Sequence, residues 1–195
     1  MTTDGLNFRL ATVDDAVSLE RLINTAFRDD RTTQVFLSAD HERVNVTDVN
    51  TIIAKINQAD CAVLAVTDPL TGSIVAHSSV RRIDDSRAWF GMLAVDVNSQ
   101  KQGIGGRVLA WAEQYARQQW GSPRLEFDVV NTRAELIAWY KGKGYQPNGE
   151  TTPFPYEYHG DWKGVLRDDL CFINLGKDLV ENPSTGEEEL SSRLG

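Results

Sequence analysis

The chain has 195 residues, 41% of them hydrophobic and 25% charged, values of a globular domain and not of a disordered or collagen-like chain. Lys and Arg number 20 against 28 Asp and Glu, a formal net charge of −8; this argues against a nucleic-acid partner, which wants a basic face, and weakly favours a cationic small substrate or a basic peptide. Two cysteines, Cys61 and Cys171, are too few for a disulfide framework or a zinc ribbon, no apolar run approaches the roughly 18 residues that cross a bilayer, and the opening MTTDGLNFRL lacks the basic-then-apolar order of a signal peptide.

Residues 6–10 alternate and read as a short strand. Thr12 with Asp15 three residues on has the form of a capping box. The helix behind it carries Ala16, Leu19, Ile23, Ala26 and Phe27 at helical spacing. Residues 28–46 are polar and irregular. A second helix is expected from Thr47, with Val49, Ile52, Ile53 and Ile56 on one face. Residues 61–66 and 73–80 read as two strands of a hairpin around the turn signal Asp68-Pro69 to Gly72. Residues 87–95 make a third apolar strand, whose inward-looking positions are read as Trp89, Gly91 and Leu93, none of them titratable.

The period then changes from 2 to 3.6. A helix opens between Gly103 and Gly106 and runs to about Gln119, with Val108, Ala112, Tyr115 and Ala116 toward the core. Gly121-Ser122-Pro123 stops it. Residues 124–130 alternate again, Leu125, Phe127 and Val129 on one face and Glu126 and Asp128 on the other. Thr132 and Glu135 suggest a second capping box, with a helix to about Lys141 ended by Gly142 and Gly144. A strand is expected at each end of 145–176, around a Pro/Tyr-rich middle. Residues 181–195 are acidic and lack aromatics, and are expected to be a disordered tail behind one domain over 1–180. The order β-α-α-β-β-β-α-β-α-β-β predicts an α/β fold: a mixed, mostly antiparallel sheet of about seven strands with about four helices on its faces.

Residues 100–106, QKQGIGG, carry the chemistry. They lie between a buried strand and a helix N-terminus, where free amides and the helix dipole suit a phosphate or pyrophosphate. Lys101 and Arg107 add positive charge. A nucleotide P-loop would end in Gly-Lys-Ser/Thr, but Gly105 and Gly106 are followed by Arg107 and Val108. A dinucleotide fingerprint would need glycine where Val108 stands.

The Gln-x-x-Gly-x-Gly of Gln100, Gly103 and Gly105 resembles the pyrophosphate loop of the GNAT superfamily of acyl-CoA N-acyltransferases. The context agrees: Leu93-Ala94-Val95 ends the strand before it, and Asn131, Ala134 and Tyr140-Lys-Gly-Lys-Gly-Tyr145 follow the next strand at matching intervals. The likeness covers roughly residues 6–176 and is closest over 89–145. It implies acetyl-CoA as acyl donor and a GNAT-like fold. Backbone amides of Gln102, Gly103, Ile104, Gly105, Gly106 and Arg107 would hold the pyrophosphate, and Leu93 and Val95 would flank the pantetheine arm. Asn131 and Ala134 would complete the cofactor site. A backbone N–H near Val95 would meet the oxyanion, and Tyr140 would protonate the leaving thiolate.

A base on the strand before the loop, used by some members, is absent here. Glu126 and Asp128 are the substitutes, directly or through water. Each has an ordinary reading beside it: a solvated strand face for the two acids, a core tyrosine for Tyr140, a turn residue for Asn131. His41, His77 and His159 show no metal-ligand spacing, and both cysteines read as small hydrophobes. Phe154, Tyr156, Tyr158 and Trp162 are either hairpin packing or a substrate wall. The leading expectation is a cytoplasmic N-acetyltransferase, monomer or homodimer, acting on a small-molecule primary amine. Its acceptor pocket would draw on 28–46 and 150–166. The alternatives are a protein or peptide N-acetyltransferase and a non-catalytic acyl-CoA-binding module.

Overall fold

The computed structural model describes residues 5–28, 45–154 and 168–179. Most of the two segments expected to build the acceptor pocket, three of the four residues of the aromatic stretch, and the acidic tail lie outside them. The elements run β1 (Asn7–Leu10), α1 (Ala16–Arg28), α2 (Val49–Ile56), β2 (Cys61–Thr67), β3 (Ile74–Arg82), β4 (Ala88–Val95), α3 (Ile104–Trp120), β5 (Arg124–Val130), α4 (Ala134–Gly142), β6 (Gln146–Pro153) and β7 (Cys171–Asp178). This is the expected order.

The strands form one sheet, ordered β1-β2-β3-β4-β5-β7-β6. Every neighbouring pair is antiparallel except β4 with β5. Strand alternation divides the core between the two faces. Val63, Ala65 and Ala94 pack under Leu19, Ile23 and Ile52 of α1 and α2. On the other face Leu64, Val66 and Ala76 meet Ile104 and Val108 of α3. Leu125, Phe127 and Val129 of β5 join Leu109 and Ala112 of α3 and Tyr140 of α4 in the largest cluster. The expected capping box forms on a short 3-10 turn, Val13–Asp15, that leads into α1: the Asp15 carboxylate accepts from the Thr12 amide at 2.7 Å and from its hydroxyl at 3.1 Å. Helix α2 is capped by Asp48, one residue past the expected start, whose side chain accepts from the Thr51 amide at 3.0 Å.

Two readings are corrected. Thr132 and Glu135 form no capping box: α4 begins at Ala134 behind Arg133, no side chain caps it, and Thr132 Oγ1 is buried without a hydrogen-bond partner. The turn Val130–Arg133 places the helix start one residue later than Thr132 needs. Strand β4 also does not keep one alternation. Its register against β3 shifts between the His77–Ala94 and Ser79–Gly91 pairs, so β4 carries one extra residue there. Met92 takes φ 56°, the left-handed conformation that a bulge imposes. Ala88 and Phe90 face α3 before the bulge, and Leu93 and Val95 face α3 after it. Leu93 therefore does not share a face with Trp89 and Gly91.

Candidate active site

The parallel β4–β5 pairing covers only Ala88–Leu125 and Trp89–Glu126. Beyond Trp89 the strands part, and β4 continues with its β5-facing edge unpaired by any strand among the described residues. The Asp96 amide donates to Val75 O at 2.9 Å, on the β3 side. Successive amides alternate across a strand, so the Val95 N–H points into the gap. Gln100 folds back to the same place, its Nε2 donating to Val95 O at 3.3 Å. That contact ties the start of the glycine loop to the end of the strand.

The loop turns through two left-handed residues, Lys101 at φ 61° and Gly103 at φ 80°. Helix α3 starts at Ile104, and its first bonds run from the Gly106 and Arg107 amides to Gly103 O at 3.1 and 3.3 Å. The Ile104 and Gly105 amides precede those bonds and so belong to the unsatisfied first turn. Beside them lies a cavity of about 390 Å³, lined by Leu93, Val95, Lys101, Gly105, Trp139 and Lys143 among others. A Cβ on Gly105 would point at Leu93, Val95 and Trp139, each 3.9–4.0 Å away, so this glycine keeps the groove between β4 and α4 open. Lys143 Nζ stands 3.6 Å from where a Gly106 Cβ would lie, adding a cation at the helix N-terminus. An anion with an extended arm fits these groups: amides and lysines for the charge, the Leu93–Val95 edge for the arm.

A second cavity, of about 560 Å³, opens on the far side of the gap and takes in Trp89, Gly91, Asp128, Arg133 and Tyr140. The two cavities share Phe27, Leu93, Arg133, Leu136 and Tyr140, and so meet where the strands part. Tyr140 is 4% exposed, with its ring 4.3 Å from that of Phe127 and 4.8 Å from that of Trp139. Burial pushes its phenol well above the ordinary tyrosine range, against a smaller opposing pull from Arg133. The phenol therefore holds its proton at neutral pH.

The expected site residues separate in three dimensions. Val95, Gln100, Lys101, Gly103, Ile104, Gly105 and Gly106 gather at the smaller cavity, Asp128 at the larger, and Leu93 and Tyr140 line both. Gln102 turns its side chain toward Asn98 O at 3.4 Å. Arg107 lies with its guanidinium 4.9 Å from the centre of the Phe8 ring. Neither lines these two cavities. Asn131 spends its side chain on the main chain, donating to Asp169 O at 2.9 Å and accepting from the Cys171 amide at 3.2 Å; it clips the end of β5 to the entry of β7. Ala134 lines a shallow pocket at the head of α4. Glu126 is buried, with Arg124 Nε 2.6 Å from Oε1 and Arg87 Nη1 3.6 Å from Oε2, and it faces neither cavity. Asp128 does. Burial raises its carboxyl above the ordinary range, Asn174 Nδ2 at 3.4 Å opposes this, and Glu126 adds a further upward push. Trp139, Lys143 and Arg133 were missed by sequence reasoning; the i, i+3 spacing of Tyr140 and Lys143 on α4 was the available signal.

A model of the Acetyltransferase (GNAT) family matches residues 19–145, more than half of the chain. The chain belongs to this family. This GNAT protein is an acyl-CoA-dependent N-acyltransferase, with acetyl-CoA as its donor. A search of curated proteins finds no match. Solved structures show the same fold. Ard1 from Thermoplasma volcanium aligns with a TM-score of 0.66 at 15% identity, covering 91% of this chain and 99% of that one. The yncA protein from Salmonella typhimurium, solved with its cofactor acetyl-CoA, gives 0.65 at 16%, covering 94% and 99%. The ribosomal-protein-S18-alanine N-acetyltransferase from Escherichia coli gives 0.65 at 16%, covering 94% and 97%. Among the described residues no helix is long and apolar enough to cross a membrane.

Proposed function

We propose that this GNAT protein moves an acetyl group from acetyl-CoA to the primary amine of a small molecule by direct attack, without an acyl-enzyme. One observation carries the reading: the two cavities meet at the β4–β5 gap, with Leu93 and Tyr140 common to both. A donor on one side and an amine on the other would be held in contact there, which removes much of the entropic barrier to a two-substrate reaction. The acceptor cavity, at about 560 Å³, is the size of small-molecule sites.

Bound acetyl-CoA supplies an activated acyl group, whose carbonyl the amine attacks and whose thiolate departs. The chain's own groups do the rest. The Ile104 and Gly105 amides with Lys101 and Lys143 hold the pyrophosphate. The Val95 N–H stands ready for the developing oxyanion. Asp128 takes the proton that the attacking amine must shed, directly or through water, and its raised pKa suits it to that exchange. Tyr140 Oη gives its proton to the leaving sulfur. Glu126, clamped by two arginines, is not assigned to the chemistry. One chain provides all of these groups, so a monomer and a homodimer would serve equally. Two unpaired cysteines accord with a cytoplasmic location.

The test is release of CoA thiol from acetyl-CoA with and without amines, with the acetylated product read by mass spectrometry. Amine-dependent release supports the reading. Acetyl-CoA binding with no transfer to any small amine, and transfer to peptides alone, would replace it.

A further inference from the structure

The chain is acidic overall, yet the described lining of the acceptor cavity is cationic. Among the described residues that line it, Lys55, Arg81 and Arg133 are basic and Asp128 alone is acidic. Cys61, Ser79, Arg81, Trp89 and Gly91 share one sheet face: Arg81 pairs with both Cys61 and Trp89, and Ser79 with Gly91. Lys55 reaches this face from α2. Its charge and that of Arg81 both act on the Cys61 thiol, so the two cations converge on one corner. Asp60 also acts on that thiol, but it does not line the cavity. Among the described residues, no side-chain hydrogen bond or ion pair holds Lys55 or Arg81. Arg9, Arg82, Arg87 and Arg124, by contrast, are each paired with an acid.

Lys55 and Arg81 line one partly apolar cavity, and an anion bound there would offset the repulsion between them. Trp89, Phe127 and Phe172 line the walls and give an apolar side chain a surface to pack on. Asp128, in the same lining, offers the complementary charge for an ammonium. We propose that the acceptor is an amine that also carries a carboxylate, as a free amino acid with an apolar side chain does, with Arg81 and Lys55 binding the carboxylate. Arginine is suited to this by its paired N–H groups. The general acidity of the chain pointed the other way, toward a cationic substrate; the local lining overrides it because charges screened beyond about 8 Å contribute little. This inference rests on the acetyl-transfer reading and deepens it.

The experiment compares matched acceptors, phenylalanine against 2-phenylethylamine and leucine against 3-methylbutylamine, in the wild type, Arg81→Gln and Lys55→Gln. Alongside it, 3-phenylpropionate, which has no amine, is titrated calorimetrically into the CoA complex. The expected result is a preference in kcat/KM for the carboxylated member on the order of tenfold or more, carried mainly by KM. Arg81→Gln should erase most of that preference and Lys55→Gln part of it. Binding of 3-phenylpropionate should be lost in Arg81→Gln. Equal use of the amine without a carboxylate overturns the inference and leaves acetyl transfer standing. Arg81-dependent binding of 3-phenylpropionate with no amine acetylated supports the anion site and removes the transfer reading. Failure of 3-phenylpropionate to bind, with the preference untouched by Arg81→Gln, overturns the inference.

Discussion

Trp89 and Glu126 form the last cross-strand pair between β4 and β5. On one side of that pair the sheet is continuous; on the other it opens into the two cavities. Glu126 holds the closed end, clamped between Arg124 and Arg87. Asp128, two residues further on and on the same face, looks into the open end.

This separates the two acids experimentally. Glu126→Gln should cost about 1–3 kcal/mol of stability, the scale of removing a charged hydrogen-bond partner, and leave kcat/KM within a few-fold. Asp128→Asn should leave the melting temperature within a few degrees and lower turnover by something like 10²–10⁴-fold. Chemical denaturation and steady-state rates on the two variants decide it. The reverse pattern would exchange their roles.

Tyr140→Phe keeps the ring contacts with Phe127 and Trp139 and removes the proton donor. Affinity for acetyl-CoA should hardly change, because the proton matters only as the thiolate leaves. The fall in kcat and in kcat/KM together should lie in the range of about 10²–10⁴-fold. Turnover within a few-fold of wild type would make Tyr140 a core residue.

The two loop glycines should fail differently. Gly103 sits at φ 80° with open space around it, so Gly103→Ala is a backbone problem costing about 1–2 kcal/mol, visible in the melting temperature. Gly105 is helical, and a larger side chain there would project toward Leu93, Val95 and Trp139. Gly105→Val should weaken CoA binding on the order of tenfold, about 1.4 kcal/mol, with unchanged circular dichroism. Calorimetry showing native affinity would contradict the groove assignment.

His77 provides a pH test. It is buried on β3, with Nδ1 2.9 Å from Leu64 O, and burial holds its imidazole down to about 4. In the unfolded chain it titrates near 6.5. Between these values the unfolded state binds the additional proton. The stability due to neutral His77 is therefore complete above about pH 6.5 and falls as pH drops toward 4. From pH 7.5 to 5 the wild type should lose roughly 2 kcal/mol more than His77→Gln, measured by urea unfolding at each pH. Parallel losses would contradict a buried neutral imidazole.

Local order was legible along the chain because it is set by near neighbours. The apolar run 61–66 and the alternation of 124–130 give strands, and the Thr12–Asp15 spacing caps the turn that leads into α1. The Gln100, Gly103 and Gly105 spacing marks a loop whose backbone needs a left-handed turn. Those signals also carried the resemblance to the family, and with it the donor. The bulge at Met92, the parting of β4 from β5 after Trp89, and the different fates of Glu126 and Asp128 were decided only by register between strands distant in sequence. Alternation assigns both acids to one face and cannot say which stands beside an arginine and which beside a gap. The same holds for Lys55 and Arg81. They are 26 positions apart in the chain, and only the packing of α2 against β2, the neighbour of β3, brings their charges into one cavity.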